Sequence, residues 1–229
     1  MKIVAILQAR MGSTRLPGKM LLPLLDKPLV QQVVERVCRA ERVDLVVTAV
    51  PLADHDSFAF LSASHALYDY PGPEADLVGR YLHAADAFDA DVIVRVPCDN
   101  PCVDPAYLDA AITDYLTDPY LYYSNTTAWV GPVAIDGIGG EVFSRSLLQW
   151  IDQKVAHKPI YREHPHRYFE ERGMLRLPPA QLRLDVNSEK DYNKVRDLYA
   201  HFGHNHFTAL EIVQYLLPQG DPYESCTRK

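Results

Sequence analysis

Apolar runs and amphipathic stretches alternate along most of this chain. Residues 2–8 read as a strand whose continuous apolar run, residues 3–7, is expected of burial on both faces. Residues 28–40 then place Leu29, Val30, Val33, Val34 and Val37 at helical spacing. Residues 45–50 and 66–70 read as further strands, separated by a helix with Asp54 as its N-cap. Residues 76–88 form another amphipathic helix with Leu77, Val78, Tyr81, Leu82, Ala85 and Phe88 on one face, and residues 92–96 a strand. Residues 126–140 lack a clear period and carry Gly131, Pro132, Gly137, Gly139 and Gly140, which predicts a loop or ribbon over a cleft. Residues 144–154 and 161–172 look helical, and 182–186 return as a strand. Asn187 or Ser188 caps a helix that stops at Gly203, and Thr208 with Glu211 opens a last short helix that ends before Pro218. Strands alternating with helices predict one α/β domain, residues 1–205, on a mostly parallel sheet, with residues 206–229 as a short helix and tail.

In such sheets ligands bind beyond the carboxyl ends of the strands, and the informative loops lie there. The strand at 2–8 runs into Gln8-Ala-Arg-Met-Gly-Ser-Thr-Arg-Leu-Pro-Gly-Lys19, which carries Arg10, Arg15 and Lys19 and no acid. Turn backbone N–H groups with two guanidinium forks and an ammonium are the parts that hold a polyphosphate. A P-loop is excluded: Gly12 and Gly18 enclose five residues, and Met20 replaces the hydroxyl that would serve the metal. The second loop begins Pro97-Cys-Asp-Asn-Pro101, where Asp99 can hold magnesium or make an Asx-turn.

Composition narrows the partners. The 229 residues carry a net charge of −7, against a general nucleic-acid or membrane-surface binder. Cys38, Cys98, Cys102 and Cys226, with no apolar leader after Met1, point to a reducing cytoplasm. A zinc site at Cys98 and Cys102 is disfavoured because no clear second pair exists. The histidines 201, 204 and 206 read as structural, around a helix end.

The opening loop resembles the signature of the sugar-nucleotide cytidylyltransferases, in the spore coat polysaccharide biosynthesis branch related to CMP-sugar-acid synthetases. Its pattern, roughly Q-A-R-x-x-S-x-R-L-P-G-K-x-L, is met at every defined position from Gln8 to Leu21. Glu74-Ala-Asp-Leu-Val-Gly-Arg80, Arg95-Val-Pro-Cys-Asp-Asn-Pro101, Glu141-Val-Phe143, Arg162-Glu-His164 and Leu182-Arg-Leu-Asp-Val186 follow in the family's order. The resemblance implies a Rossmann-like domain of the nucleotide-diphospho-sugar transferase type and a homodimer. It also implies magnesium-dependent transfer of CMP from CTP to a sugar or sugar-acid acceptor, with release of pyrophosphate.

Carried over position by position, Gln8 and Ala9 face the base, Arg10, Gly12, Ser13, Arg15 and Lys19 the phosphates, and Asp76 and Arg80 the ribose or base. Arg10, Lys19 and Asp99 are the catalytic candidates, and Glu141, Arg162 and His164 fall on the acceptor side. The chain departs from the family at Cys98, at Gly139 and at Asn187, where an amide replaces the family's carboxylate. Asp185 shares the strand face of Asn187 and could supply the missing charge; Asn187 could bind metal as a neutral ligand or only cap a helix. Arg162 could bind an acidic substrate or make a structural ion pair. Two alternatives stay open: a glycosyltransferase using a nucleotide-sugar donor, and a nucleotide-binding protein without catalysis.

Overall fold

The computed structural model describes residues 1–118 and 121–217; Cys226 and the tail lie outside them. In chain order the elements begin with β1 (Ile3–Gln8), the short ribbon of β2 (Pro23–Leu24) and β3 (Lys27–Pro28), and α1 (Leu29–Val37). They continue with β4 (Leu45–Pro51), α2 (His55–Phe58), β5 (Ala66–Tyr70), α3 (Leu77–Ala87), β6 (Val92–Pro97) and α4 (Pro105–Thr117). Then come β7 (Tyr122–Ser124), β8 (Thr127–Val130), β9 (Val133–Asp136), β10 (Glu141–Ser144) and α5 (Arg145–Lys154). The last elements are α6 (Pro159–Glu163), α7 (Pro165–Glu170), β11 (Leu182–Arg183), α8 (Glu189–Phe202) and α9 (Ala209–Leu216).

The central sheet runs β5-β4-β1-β6-β10-β7. Its first four strands are parallel, and β10 and β7 extend it in antiparallel fashion. Side chains alternate across the pleat, so β1 feeds two cores at once. Ile3, Ala5 and Leu7 join Leu29, Val33 and Val37 of α1 and Val195 and Leu198 of α8 on one face, and Val4 and Ile6 join Val78 and Tyr81 of α3 on the other. This double burial is why β1 carries no polar residue before Gln8. A second sheet, β11-β9-β8, forms the expected ribbon over the cleft, turned at Gly131 with φ 59°.

On the first face Arg36 is fully buried and donates to the carbonyls of Val103, Asn205 and Phe207 at 2.6, 2.5 and 2.7 Å. It ties α1 to the loop after β6 and to the segment leading into α9, whose Ala209, Ile212 and Val213 pack into the same core. Each carbonyl left unpaired there costs about 1–3 kcal/mol.

Several local expectations are corrected. Asp54 makes no side-chain cap; its carboxylate accepts the Met11 N–H at 2.8 Å and so pins the Arg-rich loop. Residues 161–172 are not one helix. Pro165 has no N–H to donate and pushes His164 out of helical backbone, to φ −130° and ψ 73°, which separates α6 from α7. Of residues 182–186, only Leu182 and Arg183 form strand, paired with β9; Leu184 N–H then donates to Asp136 O at 3.0 Å and Val186 N–H to Asp99 O at 2.7 Å. Ser188, not Asn187, caps α8, through a reciprocal box with Asp191. The stop at Gly203, left-handed at φ 70°, and the Thr208–Glu211 box occur as expected.

Candidate active site

The loops leaving β1 and β6 meet. Gly18, at φ 68°, turns the chain so that Lys19 enters a single 3-10 turn. The Lys19 ammonium is 8% exposed as a residue and donates to Asp99 Oδ2 at 2.8 Å, Val186 O at 2.9 Å and Asn187 Oδ1 at 3.4 Å. Three oxygens from two segments, the loop after β6 and the 186–187 stretch, therefore converge on one cation.

Above them lies a cavity of about 510 Å³ lined by Gln8, Ala9, Arg10, Gly12, Ser13, Arg15, Lys19, Arg80, Arg95, Asp99, His164 and Asn187, among others. Its charged lining is Arg10, Arg15, Lys19, Arg80 and Arg95 against Asp99 and Glu163, a net positive surface. Arg10 reaches Glu74 at 3.3 Å and Glu163 at 3.5 Å, and Arg15 reaches Asn187 Oδ1 at 2.7 Å. Gly12 faces the Glu74 carboxylate so closely that a Cβ there would lie 2.1 Å from Oε1. Gln8 is held by Tyr81, whose hydroxyl donates to Oε1 at 2.5 Å. The Gln8 amide N–H groups make no hydrogen bond among the described residues. Arg80 is buried, donates to the Glu74 carbonyl, and keeps a buried Nε with no partner among the described residues. An orphaned donor in a cavity wall costs free energy until a ligand oxygen meets it.

Asp76 and Arg162 are placed elsewhere. Asp76 caps α3 through Gly79 N–H, accepts the Tyr70 hydroxyl at 2.9 Å, and takes Arg162 Nε and Nη2 at 2.8 Å each. Arg162 also reaches Asp152 at 2.9 Å. Burial alone would raise the Asp76 pKa, but these hydrogen bonds and the Arg162 charge hold it below the ordinary carboxylate value. Neither residue lines either of the two cavities; together they brace α3 against α6. The structural ion pair is the arrangement that forms.

A second cavity of about 460 Å³ adjoins the first under the β8–β9 ribbon and shares Arg95 and Asp99 with it. Its other charged lining is Asp136, Glu141, Glu170, Arg183 and Asp185, with His166 beside them. Glu141 pairs with Arg95 at 2.5 Å, both side chains 6% exposed, and accepts the Tyr122 hydroxyl. Burial would raise the Glu141 pKa, but the Arg95 charge and these hydrogen bonds outweigh it and keep the group ionised. Asp185 turns to Arg183, at 2.9 and 3.1 Å, and accepts the Asn187 amide. Asn187 thus aims its oxygen at Lys19 and Arg15, and Asp185 faces the second cavity.

His164, expected on the acceptor side, lines the first cavity, and burial lowers its pKa. Gly139 explains its own departure from the family: a Cβ there would sit 2.1 Å from the Asn125 carbonyl oxygen. Cys98 and Cys102 are buried free thiols in the core. Among the described residues no group of three or more His, Cys, Asp or Glu is poised to hold a metal, and no helix is long and apolar enough to cross a membrane.

Sequence reasoning passed over Arg95, Asp136, Glu163, His166, Glu170 and Arg183. Arg95 left a signal: an arginine inside the run Val92-Ile-Val-Arg-Val96 needs a buried acid, which Glu141 supplies from the neighbouring strand. The others come together only through tertiary folding.

Comparison with known proteins places the chain in a family. The spore coat polysaccharide biosynthesis protein SpsF of Bacillus subtilis is 30% identical over 232 residues, covering 93% of each chain. The 3-deoxy-manno-octulosonate cytidylyltransferase of Trichlorobacter lovleyi is 37% identical over 129 residues, 53% of this chain and 48% of that one. Among solved structures, a cytidylyltransferase from Leptospira borgpetersenii serovar Hardjo-bovis superposes with TM-score 0.82 at 27% identity, covering 94% of each chain. A CMP:2-keto-3-deoxy-manno-octonic acid synthetase complexed with CTP shares the fold at TM-score 0.65 and 20% identity, over 88% of this chain and 100% of that one. The cytidylyltransferase family model matches residues 4–211, and with nearly the whole described fold inside that match this chain belongs to the cytidylyltransferase family of nucleotidyltransferases.

Proposed function

We infer that the protein transfers the cytidylyl group of CTP to a hydroxyl of a sugar-type acceptor, with magnesium as cofactor and pyrophosphate as the leaving group. The observation that carries this reading is the pair of adjoining cavities that share Arg95 and Asp99. The cationic cavity suits the triphosphate. The other suits an acceptor whose hydroxyl attacks the α-phosphorus in line.

Such a reaction asks the protein for positioning and charge neutralisation more than for covalent chemistry. Arg10, Arg15 and Lys19, with Ser13 and the backbone at Gly12, bind and neutralise the phosphates. Gln8, Ala9 and Arg80 receive the base and ribose, for which the Gln8 amide and the Arg80 Nε are ready donors.

The residues present fit magnesium, because a cation already sits among oxygens from Asp99, Asn187 and Val186. One carboxylate, neutral oxygens and substrate phosphates make a donor set that this hard ion accepts. Asp99 and Asn187 would hold it. When bound, magnesium supplies further charge neutralisation at the phosphates. Lys19 is then free to turn from Asp99 to the nucleotide. His164, kept neutral by burial, is the candidate to take the acceptor proton. The implied homodimer belongs to the same proposal.

Thermal shift with CTP, UTP, ATP and GTP, with and without magnesium, tests the nucleotide assignment. The largest stabilisation is expected from CTP with magnesium; equal stabilisation by ATP or GTP would overturn it. Release of pyrophosphate from CTP, in place of nucleoside diphosphate from a sugar donor, separates this reaction from a glycosyl transfer.

A further inference from the structure

We propose that Tyr81 and Arg95 fix the Gln8 side chain so that its amino group reads the edge of the base, accepting cytosine and rejecting uracil. The proposal rests on the reading of the cationic cavity as the nucleotide site, and it names the device that selects the base there.

A glutamine side chain can offer a carbonyl oxygen or an amino group, and its neighbours decide which end is left for a ligand. Two donors hold the oxygen of Gln8. The Tyr81 hydroxyl donates to Oε1 at 2.5 Å, and Arg95 Nε donates to the same oxygen at 3.4 Å. Arg95 has no acceptor atom, so a reversed amide would set N–H against N–H. Burial also pushes the Tyr81 phenol above its ordinary pKa, which keeps its proton in place for donation.

The two donors are themselves held. Both are buried, Arg95 pairs with Glu141 at 2.5 Å, and its guanidinium lies 5.8 Å from the centre of the Tyr81 ring. With its oxygen engaged, Gln8 lines the cavity with an Nε2 that makes no hydrogen bond among the described residues. Leu77, one turn before Tyr81 on the same face of α3, also lines the cavity and offers an apolar surface to a ring.

Cytosine presents neighbouring acceptors at O2 and N3, whereas uracil carries a hydrogen on N3. The fixed amino group thus meets an acceptor in one base and a donor in the other. A site built to hydrogen-bond one partner rejects the mismatched one by roughly tenfold or more. Gln8 is the residue that touches the base, and Tyr81 is a positioning residue that acts through it.

The test is the ratio of CTP to UTP affinity, measured by isothermal titration calorimetry with magnesium for the wild-type protein, Gln8→Glu and Tyr81→Phe. The wild type should bind CTP roughly tenfold or more tighter than UTP. Gln8→Glu keeps an oxygen for Tyr81 and Arg95 but turns a second oxygen to the base, so the ratio should fall to about one or invert. Tyr81→Phe leaves the Gln8 oxygen only the longer Arg95 contact, and the ratio should fall by roughly threefold to tenfold. A Tyr81 that serves packing alone would weaken both nucleotides equally, and that result would overturn its positioning role. Gln8→Glu changes little volume, so it decides the matter even where Tyr81→Phe folds poorly. A wild type that prefers CTP, with a ratio that Gln8→Glu does not move, would overturn the proposal and leave the nucleotide site standing. Equal binding of CTP and UTP by the wild type would overturn it as well. If neither nucleotide binds, the underlying reading fails and the proposal falls with it.

Discussion

The cavity at the carboxyl ends of β1 and β6 takes Arg10, Arg15 and Lys19 from one short loop, whereas its neighbour gathers Asp136, Glu141, Glu170 and Asp185 from segments far apart in the chain. The two share a wall in Arg95 and Asp99 and carry opposite signs. Phosphate binding needs several donors close together, and a single turn after a strand can present them. Acceptor selection needs a shaped, partly dry space, and only tertiary folding assembles one. The difference predicts that changes in the wall damage both halves, and changes in either lining damage one.

The shared wall should give the largest effect. Arg95→Met leaves Glu141 buried without its cation, and breaking such a pair costs about 3–5 kcal/mol. Urea unfolding should show the loss, and adding Glu141→Gln should recover part of it. An undiminished unfolding midpoint in the single variant would mean that the pair does not hold the wall.

Within the cationic lining, Lys19→Ala should lower turnover at least roughly tenfold, about 1.4 kcal/mol of transition-state stabilisation. Because Lys19 is itself buried against Asp99, a smaller loss of stability should accompany it. Unchanged kinetics would remove Lys19 from the nucleotide site.

The boundary can be sharpened by magnesium titration. Asn187 aims its oxygen toward Asp99's partner Lys19, so Asn187→Asp should lower the magnesium needed for half-maximal activity by roughly threefold to tenfold. Asp185→Asn should leave that requirement in place, since Asp185 faces Arg183. A shift with Asp185→Asn alone would exchange their roles.

The smallest effect concerns the sign of the second cavity. The folded state holds His166 neutral down to about pH 4, while the unfolded chain protonates it below 6.5. The unfolded state thus binds more protons across this window, and stability falls as pH falls from 6.5 toward 4. His166→Asn should flatten that part of the profile, as measured by chemical unfolding at stepped pH. An unchanged slope would mean that His166 is charged in the fold and that the cavity is less acidic than described.

The same contrast explains what the sequence could and could not reveal. Largely apolar runs marked β1, β4, β5 and β6, and local chemistry marked Gly203 and the Thr208 box, because each is decided by neighbours in the chain. The Arg-rich loop was legible for that reason. α4 was missed because its buried positions, Leu108, Ala111 and Ile112, make only a short stripe. β10 was missed because its place between β6 and β7 depends on pairing with strands distant in sequence. Asp54 looked like a cap by residue type, yet the nearby Met11 N–H competed for its carboxylate. Asp76 read as a ligand contact or an ordinary first-turn acid and Arg162 as a ligand contact or half of an ion pair, and the two pair with each other across 86 residues. Of the second cavity, the sequence motifs marked Asp99, Glu141 and Asp185, whereas Asp136, His166 and Glu170 join them only in the folded chain.

The most direct test is a crystal structure of the protein with CTP and magnesium. The triphosphate should lie within hydrogen-bond distance of Arg10, Arg15 and Lys19, with the metal on Asp99 and Asn187 and the carboxylate-lined cavity left open beside the α-phosphorus. A triphosphate seated among Asp136, Glu170 and Asp185, or bound away from the 9–19 loop, would contradict the division of labour between the two cavities.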